Sequence, residues 1–277
     1  MSILADGKKI ALGLRDVIQQ QISDSGQVPK FGIVYVGSDP VVDNFLRYKQ
    51  EFGAAVGANV VVHRFPDDVS AVELKSSICQ IAEGIDGMIV QLPLPQHLPT
   101  QEILDSIPAS KDIDVLGSSA RSSFSRGDTE LIPPVTGSII EILRVSGVEL
   151  SDKKIVLFGN GSLVGYPFSL WLRRNSIEHE VIDKDTDMQI RNELLASADI
   201  IVSGVGQPHI LTSDLVADGV ALIDAGTSES GKKIIGDIHP DCYSKSSLFT
   251  PVPGGIGPIT IAVLYQNLLR ACLEKND

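Results

Sequence analysis

Short apolar runs and amphipathic stretches alternate along most of this chain. FGIVYVG (31–37), ANVVVHRF (58–65) and DGMIVQLPLP (86–95) have the length and β-branched content of buried strands, and the last runs into a proline-rich loop. Residues 8–23, 41–56 and 71–83 carry apolar positions at helical spacing. A second series follows: KKIVLFG (153–159), a helix over 163–175, HEVID (179–183), a helix over 187–196, DIIVSGVG (199–206) and VALIDAG (220–226). Strands and helices in alternation predict parallel sheets covered by helices. The stretch 115–134, rich in Ser, Gly and Pro, interrupts the pattern and reads as a crossing between domains, with a helix over 135–147 behind it. The last helix, 258–274, is apolar on most faces and is expected to be buried, with Pro258 at its first position.

Length and charge narrow the picture. A chain of 277 residues makes one large or two medium domains. At 43% apolar content it can bury a sizeable core, and its net charge of −12 argues against a nucleic-acid surface or an anionic membrane face. Cys79, Cys242 and Cys272 lie far apart without paired spacing, which fits a reducing compartment and neither a zinc ribbon nor a disulfide framework. The N-terminus has no signal-peptide pattern, and no run approaches 18 uninterrupted apolar residues, so a soluble cytoplasmic protein is expected.

Two glycine-rich segments carry the candidate chemistry. In IVLFGNGSLVGYP (155–167), Gly159, Gly161 and Gly165 form G-x-G-x-x-x-G between a strand and a helix. The first allows a tight turn, the second a close backbone approach to a pyrophosphate, and the third close helix–sheet packing. The helix N-terminus favours the phosphate charge. Asn160, Ser162, Leu163 and Val164 complete this cofactor turn, and Gly204 and Gly206 in SGVGQP line the loop after the third strand. Asp183 ends the next strand, 24 residues after Gly159, where a carboxylate accepts from ribose hydroxyls and repels a 2′-phosphate. The plainer readings are a packing turn and a solvated strand-end Asp beside Asp185 and Asp187. The other segment, PVPGGIGPIT (251–260), is stiff and poor in side chains, suited to a wall against a flat ring.

PVPGG (251–255) resembles the signature loop of the methylenetetrahydrofolate dehydrogenase/cyclohydrolase family, and VQLPLPQH (90–97) matches that family almost literally. SILADGKKIA (2–11), VGSDP (36–40), KDID (111–114) and SGVGQP (203–208) support the resemblance, which covers nearly the whole chain. It implies an α/β fold of two domains with a cleft between them. A folate-binding domain would span 1–118 and take back the C-terminal segment 258–277, and a Rossmann-like dinucleotide domain would span 136–252. It implies that Lys49 is the catalytic lysine, Gln91 its hydrogen-bond partner and Asp114 the carboxylate that grips the pterin, with Asp112 structural or solvated. Phe45, Leu92, Pro93, Pro253, Gly254 and Gly255 would contact substrate. A lysine on an amphipathic helix is otherwise ordinarily solvated.

Two departures stand out. Most members have Tyr-x-x-x-Lys where this chain has Phe45 and Lys49. Phe45 keeps a stacking face but lacks the hydroxyl, and Tyr48 points about 100° away on a helix. Pro134-Val135-Thr136-Gly137 replaces the usual Cys-Thr-Pro run, so the cofactor contact of that threonine is in question. Members that use NADP carry Arg and Ser at positions where this chain has Asn160 and the segment Asp183-Lys184-Asp185-Thr186, so NAD is favoured over NADP. The resemblance implies oxidation of 5,10-methylenetetrahydrofolate to the methenyl form, hydrolysis of that form to 10-formyltetrahydrofolate with Phe45 weakening the hydrolysis, no metal, and a homodimer. The alternatives are a non-catalytic folate- or dinucleotide-binding relative and a two-domain dehydrogenase of the shikimate or amino-acid type.

Overall fold

The computed structural model describes residues 2–230 and 233–274. Met1 and residues 275–277, the ends of the expected first domain, lie outside them. Two compact units divide the chain: Leu12–Pro134 with Ile261–Asp277, and Met1–Ala11 with Val135–Thr260. The fold is α/β throughout.

β1 (Ile3–Leu4) and α1 (Gly7–Ser25) open the chain, and β2 (Lys30–Val36), α2 (Pro40–Val56), β3 (Asn59–Phe65), α3 (Ala71–Glu83) and β4 (Gly87–Val90) then alternate. β2 pairs in parallel with β3 on one side and β4 on the other, in register Ile33↔Val62 and Ile33↔Ile89. Asp39 caps α2 by accepting from the Val41 amide, and Ser70 caps α3 by accepting from the Glu73 amide, so both helices start where a side chain satisfies a free N–H. Leu74, Ile78 and Ala82 recur every fourth residue and pack with Val34, Met88 and Val90.

α4 (Thr100–Leu104), α5 (Ser118–Arg126) and α6 (Pro134–Val145) complete the middle of the chain. The stretch 115–134 therefore holds a helix where composition predicts only a crossing. Its serines hide an i, i+4 apolar pair, Ala120 and Phe124, and both are buried.

In the other unit β5 (Ile155–Phe158), α7 (Gly165–Arg174), β6 (Glu180–Ile182), α8 (Met188–Ala196), β7 (Ile200–Ser203) and β8 (Ala221–Asp224) alternate, followed by the hairpin β9 (Ser228–Ser230) and β10 (Lys233–Ile235) and by β11 (Leu248–Phe249). Six strands lie in the order β1-β11-β8-β7-β5-β6, all parallel. The chain goes from β5 outward to β6 and then returns to β7 on the other side of β5. That reversal opens a crevice at the carboxyl ends of the strands, the general ligand position of such sheets. The first residues thus belong here rather than with the first domain, because Ile3 and Leu4 pair with Leu248 and Phe249. The unit also extends past the expected 252 to Thr260.

α9 (Ile256–Glu274) starts two residues before Pro258, which sits in the first turn, where a missing N–H costs nothing. By length and composition it could cross a membrane. Here Ile259, Ala262, Tyr265, Asn267 and Leu268 are all fully buried in protein.

Candidate functional site

Lys49 and Phe45 lie one turn apart on α2. Lys49 Nζ donates to Gln91 Oε1 at 2.7 Å. Gln91 follows β4, and its amide nitrogen donates to the Leu92 carbonyl at 2.8 Å, which turns its oxygen toward the lysine. The Gln91 backbone amide itself bonds Val34 of β2 at 2.8 Å, so the sheet sets the height of this side chain. Leu92 packs on the core beneath, and Pro93, joined to it by a cis peptide bond, is exposed.

Asp114 is the charged neighbour of Lys49. Burial pushes the Lys49 ammonium below the usual lysine range, with Asp114 opposing. Burial likewise pushes the Asp114 carboxyl above the usual range, with Lys49 opposing. Desolvation outweighs the pair attraction in both, so both groups are driven toward their neutral forms. A lysine in that condition gives up its proton more readily than a solvated one, which suits it to proton transfer.

Asp112 makes the turn that presents Asp114. It is almost fully buried, not solvated, and its Oδ2 accepts from the amides of Leu116 at 3.0 Å and Gly117 at 2.7 Å. Burial raises its pKa to about 6, with the Gly117 bond opposing and the Asp114 charge adding. The side chain of Asn267 on α9 donates to the carbonyls of Ile113 at 2.8 Å and Ile132 at 2.7 Å, holding the same turn from behind. Sequence reasoning missed Asn267; its signal is a lone amide in an apolar helix.

Phe45 is 39% exposed, so its ring is available for stacking. Tyr48 is also exposed and lies under the Arg47 guanidinium, 5.0 Å from its ring centre, as its place on the helix predicts. The departing run 134–137 opens α6, and Thr136 is fully buried, so its hydroxyl presents no surface to a ligand.

In the other unit the glycine turn follows β5. The Gly159 amide bonds Ile182 of β6, and the Gly204 amide bonds Phe158 of β5. A Cβ on Gly165 would sit 1.8 Å from the Gly159 carbonyl oxygen, so α7 can begin there only without a side chain. Gly159 itself has φ 103. Val164 packs on Gly204, while Asn160, Gly161, Ser162 and Leu163 are exposed at the turn. This is a cradle open to a pyrophosphate at the sheet reversal, and the residues present fit a dinucleotide. Asp183, also exposed, accepts through Oδ1 from the Asp185 amide at 3.0 Å and the Thr186 hydroxyl at 3.1 Å, and neither of these bonds engages its second oxygen. Val252–Pro253 is a cis peptide, and Pro253 and Gly254 remain accessible beside buried Gly255.

Asp237, unremarked in sequence, shapes the loop after β7. It is fully buried. Its Oδ2 accepts from Ser203 Oγ at 2.8 Å and the Val205 amide at 2.7 Å, and its Oδ1 from the amides of Gly206 at 3.0 Å and Gln207 at 2.9 Å. Asp224 lies behind it and accepts from the amides of Gly226, Asp237 and Ile238. Burial raises Asp224 to about 7, its hydrogen bonds oppose, and the charge of Asp237 adds to the rise.

A parallel sheet with a glycine turn at its reversal, joined to an α/β unit holding a half-buried Lys–Gln–Asp group, defines a two-unit dinucleotide-dependent enzyme. The sequence profile of the tetrahydrofolate dehydrogenase/cyclohydrolase catalytic domain matches residues 5–114, and that of the same family's NAD(P)-binding domain matches 133–276. The chain belongs to this family. It is 33% identical over 280 residues to the bifunctional protein FolD of Nautilia profundicola, across 98% of this chain and 97% of that one. The crystal structure of the bifunctional FolD methylenetetrahydrofolate dehydrogenase/cyclohydrolase from Campylobacter jejuni is similar with a TM-score of 0.93 and 26% identity, covering 99% of this chain and 100% of that one. The Trypanosoma brucei methylenetetrahydrofolate dehydrogenase-cyclohydrolase, in complex with NADP and an inhibitor, is similar at TM-score 0.92 and 25% identity, covering 99% and 98%.

Proposed function

We propose that this chain oxidises 5,10-methylenetetrahydrofolate to the methenyl form and hydrolyses that form to 10-formyltetrahydrofolate, with Lys49 as its proton-transfer group. The observation that carries the reading is the 2.7 Å bond from Lys49 to Gln91 beside Asp114, on a lysine that burial drives toward neutrality. Asp114 accepts from the amino-pyrimidinone edge of the pterin, which a carboxylate can meet with two parallel bonds. Gln91 holds Lys49 in place, and Phe45 stacks on the substrate. Leu92, Pro93 and the Pro253–Gly255 wall supply further substrate contacts. When bound in the 159–165 turn, a nicotinamide dinucleotide supplies the hydride acceptor.

Oxidation requires chiefly that two flat rings be aligned. Hydrolysis requires that a water be activated and protons moved, so it depends more on Lys49. Phe45 offers no hydroxyl to Lys49 or to that water, so the hydrolysis is the weaker activity. Asp183 supports NAD over NADP, because its carboxylate suits a ribose hydroxyl and repels a phosphate. A homodimer in the cytoplasm, with no nucleic acid, membrane or metal involved, completes the reading.

The test is to supply purified protein with methylenetetrahydrofolate and each dinucleotide and follow methenyl absorbance as it rises and decays. Folate binding without turnover would make the protein a non-catalytic relative. Lys49→Met should keep folate binding and lose hydrolysis; full hydrolysis in that variant would remove Lys49 from the mechanism.

A further inference from the structure

Gly53 stands inside α2, one turn after Lys49, where glycine is unfavourable for a helix. A Cβ there would lie 2.5 Å from Tyr265 Oη and 2.4 Å from Val60 Cγ2. The glycine therefore makes room for the tyrosine. Tyr265 comes from α9 and is fully buried. Its ring stacks on Phe52 with centroids 5.0 Å apart and meets Phe31 edge-on at 5.6 Å. Its hydroxyl donates to the Lys49 carbonyl at 2.5 Å.

Lys49 C=O and Gly53 N–H are the two ends of one i→i+4 step of the helix ladder. A hydroxyl that donates to the carbonyl end of that step, with the glycine at the other end leaving room for it, competes for the ladder's acceptor, and side chains that intrude in this way change the local direction of a helix. We propose that Tyr265 is a positioning residue for Lys49: its hydroxyl, admitted by Gly53, sets the turn of α2 from which the lysine reaches Gln91. The rings of Phe31 and Phe52 hold the tyrosine still, so the turn is fixed by the core and not by solvent. Burial raises the pKa of the phenol, so it remains a donor across the working range.

This inference rests on Lys49 as the proton-transfer group, and the experiment separates the two ideas. Tyr265→Phe removes one oxygen and keeps the ring. It should lower kcat of methenyl hydrolysis about 10- to 100-fold, the usual effect of a small misplacement, while the folate KM stays within about twofold. Phe31→Leu removes packing from the same cluster and leaves the hydroxyl, so it should lower thermal stability and keep kcat. If Lys49→Met abolishes hydrolysis and Tyr265→Phe leaves it at the wild-type rate, the positioning role is overturned alone. Equal loss of kcat in Phe31→Leu would reduce Tyr265 to a packing residue. Hydrolysis surviving in Lys49→Met would overturn both ideas.

Discussion

Asp237→Asn isolates the electrostatic wrapping of the loop after β7. The native carboxylate accepts four hydrogen bonds, two on each oxygen. An asparagine keeps one oxygen. If it faces Ser203 and Val205, its NH₂ group opposes the Gly206 and Gln207 amides, donor against donor. Two bonds to a charged acceptor are then lost in a fully buried place, each worth about 1.5–3 kcal/mol. The sum of about 3–6 kcal/mol corresponds to roughly a 10²- to 10⁴-fold rise in local opening. Hydrogen exchange followed by mass spectrometry should show that acceleration at the amides of Val205, Gly206 and Gln207. The dinucleotide KM should rise in parallel, while folate binding to the other unit should change little. Native exchange rates at all three amides, with an unchanged dinucleotide KM, would refute the account of Asp237 as the anchor of this loop.

Other perturbations address the remaining parts of the site. Phe45→Tyr returns a hydroxyl to the Lys49 face of α2 and should raise hydrolysis more than hydride transfer, by up to about 10²-fold; an unchanged ratio of the two rates would show that the missing hydroxyl is not limiting. Asp183→Ser should narrow a preference for NAD over NADP that is expected at roughly 10- to 100-fold, seen as the ratio of kcat/KM values, and an unmoved ratio would place Asp183 outside the ribose site. Asp224 has its pKa raised in the fold from 3.8 to about 7, so the folded state holds the extra proton. Its stabilisation is full below pH 4 and is lost as pH rises toward 7. Asp224→Asn should therefore flatten the fall of Tm between those limits, and an unchanged slope would show that Asp224 does not titrate there.

Much of the architecture was legible because it follows from local periodicity. The runs at 31–37 and 153–159 announce buried parallel strands, and the matching structural strands differ by one or two residues at each end. The glycine turn was legible because close packing at Gly165 excludes any side chain, a demand written in one residue type. Lys49, Gln91 and Asp114 were singled out as candidates by the resemblance of their segments to the family's motifs. Their meeting is a tertiary event: residues 42 and 65 positions from Lys49 come within its reach only after β4 pairs with β2.

What stayed hidden has the same physical origin. α5 was masked by serines, because two buried residues outweighed its polar composition. β1 is two residues long, and nothing local marks Ile3 and Leu4 as partners of Leu248 and Phe249. Asp237, Asn267 and Tyr265 act through distant backbone groups, so their residue types carry no sign of what they hold. By itself the sequence determined the order of elements and the glycine turn, and it named the candidate reacting groups. Only the tertiary structure decided which buried polar side chains hold those groups in place, because a hydrogen bond between remote segments exists only once the core has closed around it.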